Sequence, residues 1–429
     1  MRQVTHIISE LMHCKANQSL FTQADALLKQ LTLAVQDSGL TVVASSVYPF
    51  DKGGVTGTLV LAESHLNIHT WPERDFYINL DISVCNYDCD NFAKALKLFE
   101  SLKKLFAPID FNHQILEGYK DIEDHKFTEY FSKDYGFFIK PQNVLYRKSD
   151  ETQEVSVYDT NEFGKLLRID NFFQTSEKDE FYYHECMTHP ALIAHPKPKQ
   201  VAVIGGGDGG IAKNVFQHST VEKLVMVEID NRVVEVSKAW LDQVHGGSFE
   251  DPRMNLVIQD GLVWAKETAE KFDVIILDLT DPIGPAKELY TKEFYADIKK
   301  LLNPGGIVAQ HTEYPAHYPK TFGRINATLA DLYANVAHGF CFIPLYGAVM
   351  SFAYASDSVK VKEVSLEDIE KRLVERGVTG LKYYNGETHR GLMAEPNYIK
   401  EILAGNHDVV TKDNPIHDFS VHYNQSGRR

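Results

Sequence analysis

The sequence predicts an α/β protein of more than one domain: a two-layer α/β unit, then a small antiparallel β domain, then a doubly wound, mainly parallel sheet. Three observations lead there. The chain has 429 residues, more than a typical domain of ~100–200. Its first hundred residues set two helical stripes among short runs of β-forming residues. From Lys199 onward, strand and helix signals alternate in the order that produces parallel strands.

The elements follow in chain order. Residues 19–38 carry Leu20, Ala24, Leu27, Leu28, Leu31 and Ala34 at helical spacing and stop at Gly39. β-rich segments follow at 41–44, 58–61, 65–68 and 76–80, punctuated by Gly53-Gly54 and Trp71-Pro72. A second helix, 91–106, sets Phe92, Leu96, Phe99, Leu102 and Phe106 on one face. These form a first domain over 1–118. Residues 119–135 are polar and charged and read as a linker. Alternation at 155–158 and 166–169 predicts the small β domain, 136–198. Strands are expected at 201–204, 224–228, 274–277 and 307–310, with a further strand before Asp260, in a domain spanning 199–403. The polar remainder, 404–429, reads as a loosely held tail.

Composition narrows the function classes. Apolar residues make up 44% and charged residues 24%, as in soluble globular proteins. No run approaches the ~20 apolar residues of a membrane span. The start, Met1-Arg2-Gln3-Val4-Thr5-His6, lacks the basic-then-apolar build of a signal peptide. Cys14, Cys85, Cys89, Cys186 and Cys341 are odd in number and widely spaced, which points to a reducing cytoplasm. None of them sits with histidine at metal-site spacing, so no metal is expected. A net charge of −15 argues against nucleic acid as a partner and suits cationic small molecules.

The run Glu63-Ser64-His65-Leu66-Asn67-Ile68-His69-Thr70-Trp71-Pro72-Glu73 joins two strand-like segments. Any one of its polar residues alone reads as a corner in a sheet. The whole run, followed by Cys85 in Asp81-Ile82-Ser83-Val84-Cys85, resembles the prokaryotic pyruvoyl-dependent S-adenosylmethionine decarboxylases over nearly all of residues 3–110. Decarboxylation needs an electron sink that no ordinary side chain supplies. In that family a serine hydroxyl adds to the preceding carbonyl and forms an ester. Loss of the serine α-proton, elimination and hydrolysis then leave a pyruvoyl group. The resemblance implies cleavage between Glu63 and Ser64, with Ser64 as nucleophile and source of the pyruvoyl. It implies a processing role for His69 and for the Thr56 hydroxyl, which stands where the family usually has serine. Cys85, rather than Cys89, matches the acid that reprotonates the product. Phe50 matches the aromatic that stacks on adenine, and Glu73 the carboxylate on the ribose hydroxyls. Arginine or ornithine as substrate, or an inert dimerisation module, are the rival readings. Retention of Ser64, His69 and Cys85 opposes the inert one.

Further on, Val201-Ala202-Val203-Ile204 leads into Gly205-Gly206-Gly207-Asp208-Gly209-Gly210, a G-x-G-x-x-G run between strand and helix signals. Glu228 ends the next strand, placed to bind ribose hydroxyls, so the domain is Rossmann-like. Asp208 sits where a pyrophosphate would be cradled and would repel it. A cationic sulfonium or ammonium is welcome there. The carboxylate of an intact methyl donor is not. Asp260-Gly261 is placed to meet adenine. Asp278-Leu279-Thr280-Asp281 closes the fourth strand, the end at which such sheets bind ligands. With residues 174–185, Leu381-Lys382-Tyr383-Tyr384-Asn385 and His389-Arg390, this set resembles the spermidine synthases over 125–403. The resemblance implies Asp278 as base, with Tyr183 and Tyr346 orienting it. It implies that Asp208 and Asp281 hold cationic ends of donor and acceptor. Gln153, Glu228, Asp260, Gly261 and Pro285 would bind thioadenosine, and Gln174 and His184 would line the polyamine channel. The whole is expected to decarboxylate S-adenosylmethionine and transfer the aminopropyl group to putrescine, giving spermidine and methylthioadenosine, as a homo-oligomer, dimer or higher. Leu279 replaces a small hydroxyl residue of the family, and 343–349 departs from its Tyr-Pro-Ser-Gly wording. Both changes fall on the acceptor side and leave a longer amine open.

Overall fold

The computed structural model describes residues 4–51, 53–86, 91–118, 126–132, 134–150, 153–170 and 172–417. The chain divides into two compact units, Met1–Asp124 and His125–Arg429.

The first unit is one antiparallel sheet with helices on one face. Its strands are β1 (Val4–Met12), β2 (Val42–Pro49), β3 (Val55–Leu61), β4 (Ser64–Trp71), β5 (Tyr77–Cys85) and β6 (Asp110–Gly118). They lie in the order β2-β3-β4-β5-β1-β6. Period-two alternation sorts the faces. Leu66, Ile68 and Thr70 of β4 are buried with Ile7, Leu11, Ile78, Leu80 and Ile82. Helices Ala24–Ser38 and Phe92–Phe106 supply the other half of this core through Leu27, Leu31, Leu98, Leu102 and Phe106. Gly39 ends the first helix at φ 85°, left-handed backbone that glycine adopts without steric cost. The opposite face of β4 shows His65, Asn67 and His69 to solvent. β1 and β6 were not assigned from sequence, although β1 pairs along most of its length with both β5 and β6.

In the second unit β7 (Phe127–Ser132) pairs with β8 (Tyr135–Ile139). β9 (Asn143–Ser149), β10 (Glu154–Thr160), β11 (Gly164–Ile169) and β12 (Phe172–Ser176) form an antiparallel sheet. β7 corrects the linker reading of 119–135. Phe131 is buried, stacked on His317 with ring centroids 4.0 Å apart. Residues 119–125 lie outside the described ones. The large sheet comprises β13 (Gln200–Gly205), β14 (Lys223–Glu228), β15 (Met254–Ile258), β16 (Phe272–Asp278), β17 (Leu302–His311), β18 (Asn335–Ile343) and β19 (Ala348–Ser356), ordered β15-β14-β13-β16-β17-β19-β18. The first five are parallel. β19 and β18 run antiparallel and make the sheet mixed.

Helix Glu180–Ala194 is buried almost throughout. Pro190 inside it has no N–H for the Cys186 carbonyl, and the Tyr354 hydroxyl donates to that carbonyl instead at 2.5 Å. Arg372 and Arg376 donate to the free carbonyls of its last turn, at Leu192, Ile193 and Ala194. The Glu185 carboxylate, also on this helix, accepts from the backbone N–H groups of Lys382, Tyr383 and Tyr384, each at 2.9 Å. This bond set explains why two distant stretches of sequence belong to one signature.

The expected loose tail is packed as far as residue 417. Val410 and Ile416 are fully buried beside Ile325 and Leu329. The Arg324 guanidinium donates to the carbonyls of Asp408, Asn414 and Pro415. Ile416→Ala should therefore cost about 2–4 kcal/mol in urea unfolding, the usual worth of a large-to-small core change. A loss below about 0.5 kcal/mol would show that this segment is not part of the core.

Candidate active sites

The β3–β4 hairpin turns through Ala62 and Glu63, and Leu61 pairs with Ser64. Ser64 has φ 148°, a region left almost wholly to glycine. Its Cβ lies one tetrahedral position from the carbonyl carbon, so this φ brings Cβ close to eclipsing the carbonyl carbon of Glu63. That torsion suits a five-membered ring closed by Oγ. The Glu63 carbonyl oxygen accepts the Cys85 N–H at 2.6 Å, a donor placed where negative charge would develop on attack. Ser64 Oγ stands 3.1 Å from His65 Nδ1. Cys85 is a free, half-buried thiol at the end of β5. Strain at Ser64 and a hydrogen-bonded Glu63 carbonyl fit a serine-derived pyruvoyl group.

The other expected residues gather elsewhere. Thr56 faces His69 across β3 and β4 at 3.5 Å, and His69 stacks on Trp71. His69 is five residue steps along the strand from Ser64, roughly 16 Å at the usual rise. Phe50, 47% exposed, packs against Tyr48 beyond the end of β2. Glu73 sits in the single turn Pro72–Arg74 beyond the end of β4. The expected convergence of Thr56 and His69 on Ser64 is thus absent within one copy, because strand geometry holds them at opposite ends of β4. Cys89 lies outside the described residues. His65, which motif reading passed over for His69, is the imidazole beside Ser64. Its Nε2 faces Asp81 at 3.6 Å, and His6 bonds the same carboxylate.

In the second unit one cavity opens at the carboxyl ends of β13, β14 and β16. It is lined by Gln153, Gln174, Tyr183, His184, Asp208, Glu228, Asp260, Gly261, Asp278 and Tyr346, among others. Gly205 reaches φ 84° directly over the Asp278 carbonyl, where a side chain would collide. Glu228 is clamped by the Gly207 and Asp230 N–H groups at 3.2 and 2.9 Å. Its burial still pushes its pKa up to about 7. Asp260 caps the next helix by accepting the Leu262 N–H, with Gly261 as first helical residue. Gln153 donates to Asp230 at 2.5 Å. Asp230, an N-cap at the same rim, was not singled out from sequence.

Beneath the loop runs a chain of alternating charge. Lys213 Nζ donates to Glu180 at 2.6 Å, and Glu180 meets His184 Nδ1 at 2.7 Å. His184 Nε2 meets Asp208 at 3.4 Å. Burial alone would lower the His184 pKa, but Asp208 and Glu180 more than reverse this and raise it to about 10. His184 lines the cavity as expected, yet both its nitrogens face carboxylates. Asp208 also accepts the Gly210 N–H at 2.7 Å, so it is a tethered anion rather than a free one.

Asp278 accepts a hydrogen bond from the Tyr183 hydroxyl at 2.7 Å. Burial first, then the Asp208 charge, raise its pKa to about 6. Tyr346 does not bond Asp278. Its hydroxyl donates to the Gln174 carbonyl at 2.6 Å, so it serves as a wall. Asp281 and Pro285 do not line this cavity. Asp281, its pKa likewise raised to about 6 by burial, belongs to a second acidic group that sequence reading missed. Glu313 is fully buried at φ 76°, and neither of its carboxylate oxygens has a hydrogen-bond partner. Its pKa is raised by burial and by Asp281. Glu129 on β7, pushed up to about 8 by burial, also feels Asp281. Tyr314 and Tyr318 stand in the same field. Isolated carboxylates on β7 and after β17 leave no motif in the sequence. Among the described residues, two groups of ligand atoms lie close enough to share one ion, His6–His65–Asp81 and His184–Asp208–Asp278. Neither set has a spacing that sequence could reveal.

Comparison with known proteins divides the chain in the same way. Residues 5–117 match the S-adenosylmethionine decarboxylase family, 126–177 the spermidine synthase tetramerisation domain, and 180–366 the spermine/spermidine synthase domain. A polyamine aminopropyltransferase of Nitrosomonas europaea is 37% identical over 301 residues, covering 70% of this chain and 93% of the relative. One from Sulfolobus acidocaldarius is 39% identical over 278 residues, covering 64% and 92%. A spermidine synthase solved with the transition-state analogue AdoDATO superposes with a TM-score of 0.61 at 32% identity, over 66% of this chain and 95% of that one. The spermidine synthase of Thermotoga maritima gives 0.59 at 31%, over 66% and 94%. The chain therefore belongs to the polyamine aminopropyltransferases and carries, ahead of that enzyme, a domain of the S-adenosylmethionine decarboxylase family, which uses a pyruvoyl group.

Proposed function

We propose that the two domains catalyse consecutive reactions: decarboxylation of S-adenosylmethionine, then transfer of its aminopropyl group to putrescine. The observation that carries the second step is Asp278, half-buried, held by Tyr183 and separate from a second acidic group. An amine attacks only when neutral, so it must lose a proton near the reacting carbon. Asp278 takes that proton, with Tyr183 fixing the carboxylate. The distal ammonium of a diamine is received by Asp281, Glu313 and Glu129, where the Glu313 carboxylate has no hydrogen-bond partner of its own. Glu228, Gln153 and the Asp260–Gly261 turn hold the thioadenosine part. In the first domain a pyruvoyl group at Ser64 supplies the electron-accepting carbonyl that decarboxylation requires. Cys85 returns a proton to the product carbon. The Phe50, Thr56, His69 and Glu73 set lies too far from Ser64 of its own copy, and we infer that a second copy supplies it.

Three outcomes test this reading. Wild-type protein should split into fragments meeting at Glu63 and Ser64, release carbon dioxide from carboxyl-labelled S-adenosylmethionine, and release none from ornithine or arginine. Ser64→Ala should stay intact. Co-assembly of Ser64→Ala with His69→Ala subunits should restore cleavage that neither homo-oligomer shows, and continued absence would refute the shared site. For the transferase, Asp278→Asn should lower kcat by roughly 10²–10⁴-fold. Asp278 must be ionised to act, so kcat should fall as pH drops through about 6. The Tyr183 bond holds that pKa down, so Tyr183→Phe should move the acidic limb to higher pH; an unmoved limb would reject Asp278 as its source. With equal putrescine, cadaverine, 1,3-diaminopropane and spermidine, spermidine should be the main product. Predominant spermine or thermospermine would overturn putrescine as the acceptor.

A further inference from the structure

We infer that His65 is the base that starts self-cleavage, acting on Ser64 of its own copy, with Asp81 and His6 as its supporting relay. The inference rests on the processing reading above and adds a residue that neither motif nor resemblance assigns. Three facts converge. Ser64 Oγ lies 3.1 Å from His65 Nδ1. His65 Nε2 lies 3.6 Å from Asp81 Oδ2, and the other Asp81 oxygen bonds His6 Nε2. Asn67 also donates to Asp81, at 3.3 Å. Nucleophile, imidazole and orienting carboxylate thus stand in sequence, the arrangement that activates a hydroxyl in acyl transfer. His69 of the same copy stands at the far end of β4 and reaches none of these atoms.

The first step then balances without a cofactor. The Ser64 hydroxyl gives its proton to His65 Nδ1 as Oγ bonds to the Glu63 carbonyl carbon. The carbonyl electron pair moves to oxygen, held by the Cys85 N–H at 2.6 Å. As the carbonyl re-forms, the bond from that carbon to the Ser64 nitrogen breaks. His65 returns the proton to the departing nitrogen, leaving an ester and a free amine. Asp81, facing Nε2, holds the imidazole with Nδ1 open toward Ser64. The φ of 148° at Ser64 brings Oγ toward the carbon it must reach. The three side chains sit on β4, β5 and β1, neighbouring strands whose pairing sets His65 opposite Ser83 and His6 opposite the same Ser83. A fixed sheet register therefore holds the relay.

Freshly made full-length chains can be followed by the appearance of the two fragments, with and without hydroxylamine, which cuts esters but not ordinary amides. His65→Ala is expected to slow cleavage by roughly 10²–10⁴-fold, the usual worth of a general base. Hydroxylamine should release no fragment from it, and added imidazole should restore part of the rate. Asp81→Asn should slow cleavage about tenfold and Asp81→Glu less. The double variant His65→Ala/Asp81→Asn should be no slower than His65→Ala, because Asp81 acts through the imidazole. Thermal unfolding of each variant near that of wild type shows that the sheet persists. Wild-type cleavage in His65→Ala, ester accumulation in it, or additive losses in the double variant would overturn the assignment of His65 alone. An uncut wild-type chain would overturn the processing reading, and the inference with it.

Discussion

The transferase site depends on one buried sequence of charges, Lys213–Glu180–His184–Asp208. A cavity holding two bare carboxylates, Asp208 and Asp278, would force one to take up a proton, since like charges in low dielectric repel strongly. The His184 imidazolium relieves this by pairing with Asp208. Asp208 stays anionic and Asp278 keeps a pKa near neutrality. Glu180 and Lys213 extend the compensation outward, so no member is a lone buried charge. The chain also fixes geometry. Glu180, Tyr183, His184 and Glu185 all come from helix Glu180–Ala194, and all four meet groups from other elements. The Pro190 break and the two arginines at its end matter because this helix has no solvent to satisfy its carbonyls.

The first unit is governed by a different constraint, the spacing of a flat strand. Alternation on β4 puts its apolar residues under the helices and leaves His65, Asn67 and His69 on the open face. Rise per residue separates the Ser64 end from the His69 end. No side-chain rotation closes roughly 16 Å, so the two clusters of motif residues belong to different places. The sheet's open face also carries Ile8, Val60, Phe111 and Ile115, each exposed by more than a third. A face of this kind is suited to being covered.

The legible parts of the sequence were those with period or motif. The helical stripes of 19–38 and 91–106 stood out because one apolar face repeats every three to four residues. β13, β14 and β16 stood out as continuous apolar runs ending in glycine or carboxylate. β7 was lost because charged neighbours surround a single buried side chain, Phe131. The tail misled because Val410 and Ile416 are isolated apolar residues in polar company, and only packing marks them as core. In the second unit most residues singled out in motifs line one cavity, Asp281 and Pro285 do not, and carboxylates outside any motif were missed. Glu129 and Glu313 are brought near Asp281 only in three dimensions. His65 was inside the motif yet overlooked, since sequence distance to Ser64 says nothing about which imidazole faces it.

The two chemistries place opposite demands on one nucleoside, and the charge layout relates them. The transferase cavity brings Asp208, Asp278 and Glu228 together, with His184 as the one cation facing them among the described residues that line it. That cation is already shared by Asp208 and Glu180. A substrate keeping its own carboxylate near this loop would meet uncompensated negative charge and lose its water as it entered. Removing that carboxylate as carbon dioxide leaves a molecule bearing a sulfonium and an ammonium, which on the proposed reading the same cavity stabilises. On the proposed reading, the first domain converts a ligand that the second repels into one that it attracts. Selectivity for the decarboxylated donor then needs no dedicated contact. It follows from the sign of the buried charge, and burial, reinforced by the Asp208 charge, raises the basicity of Asp278.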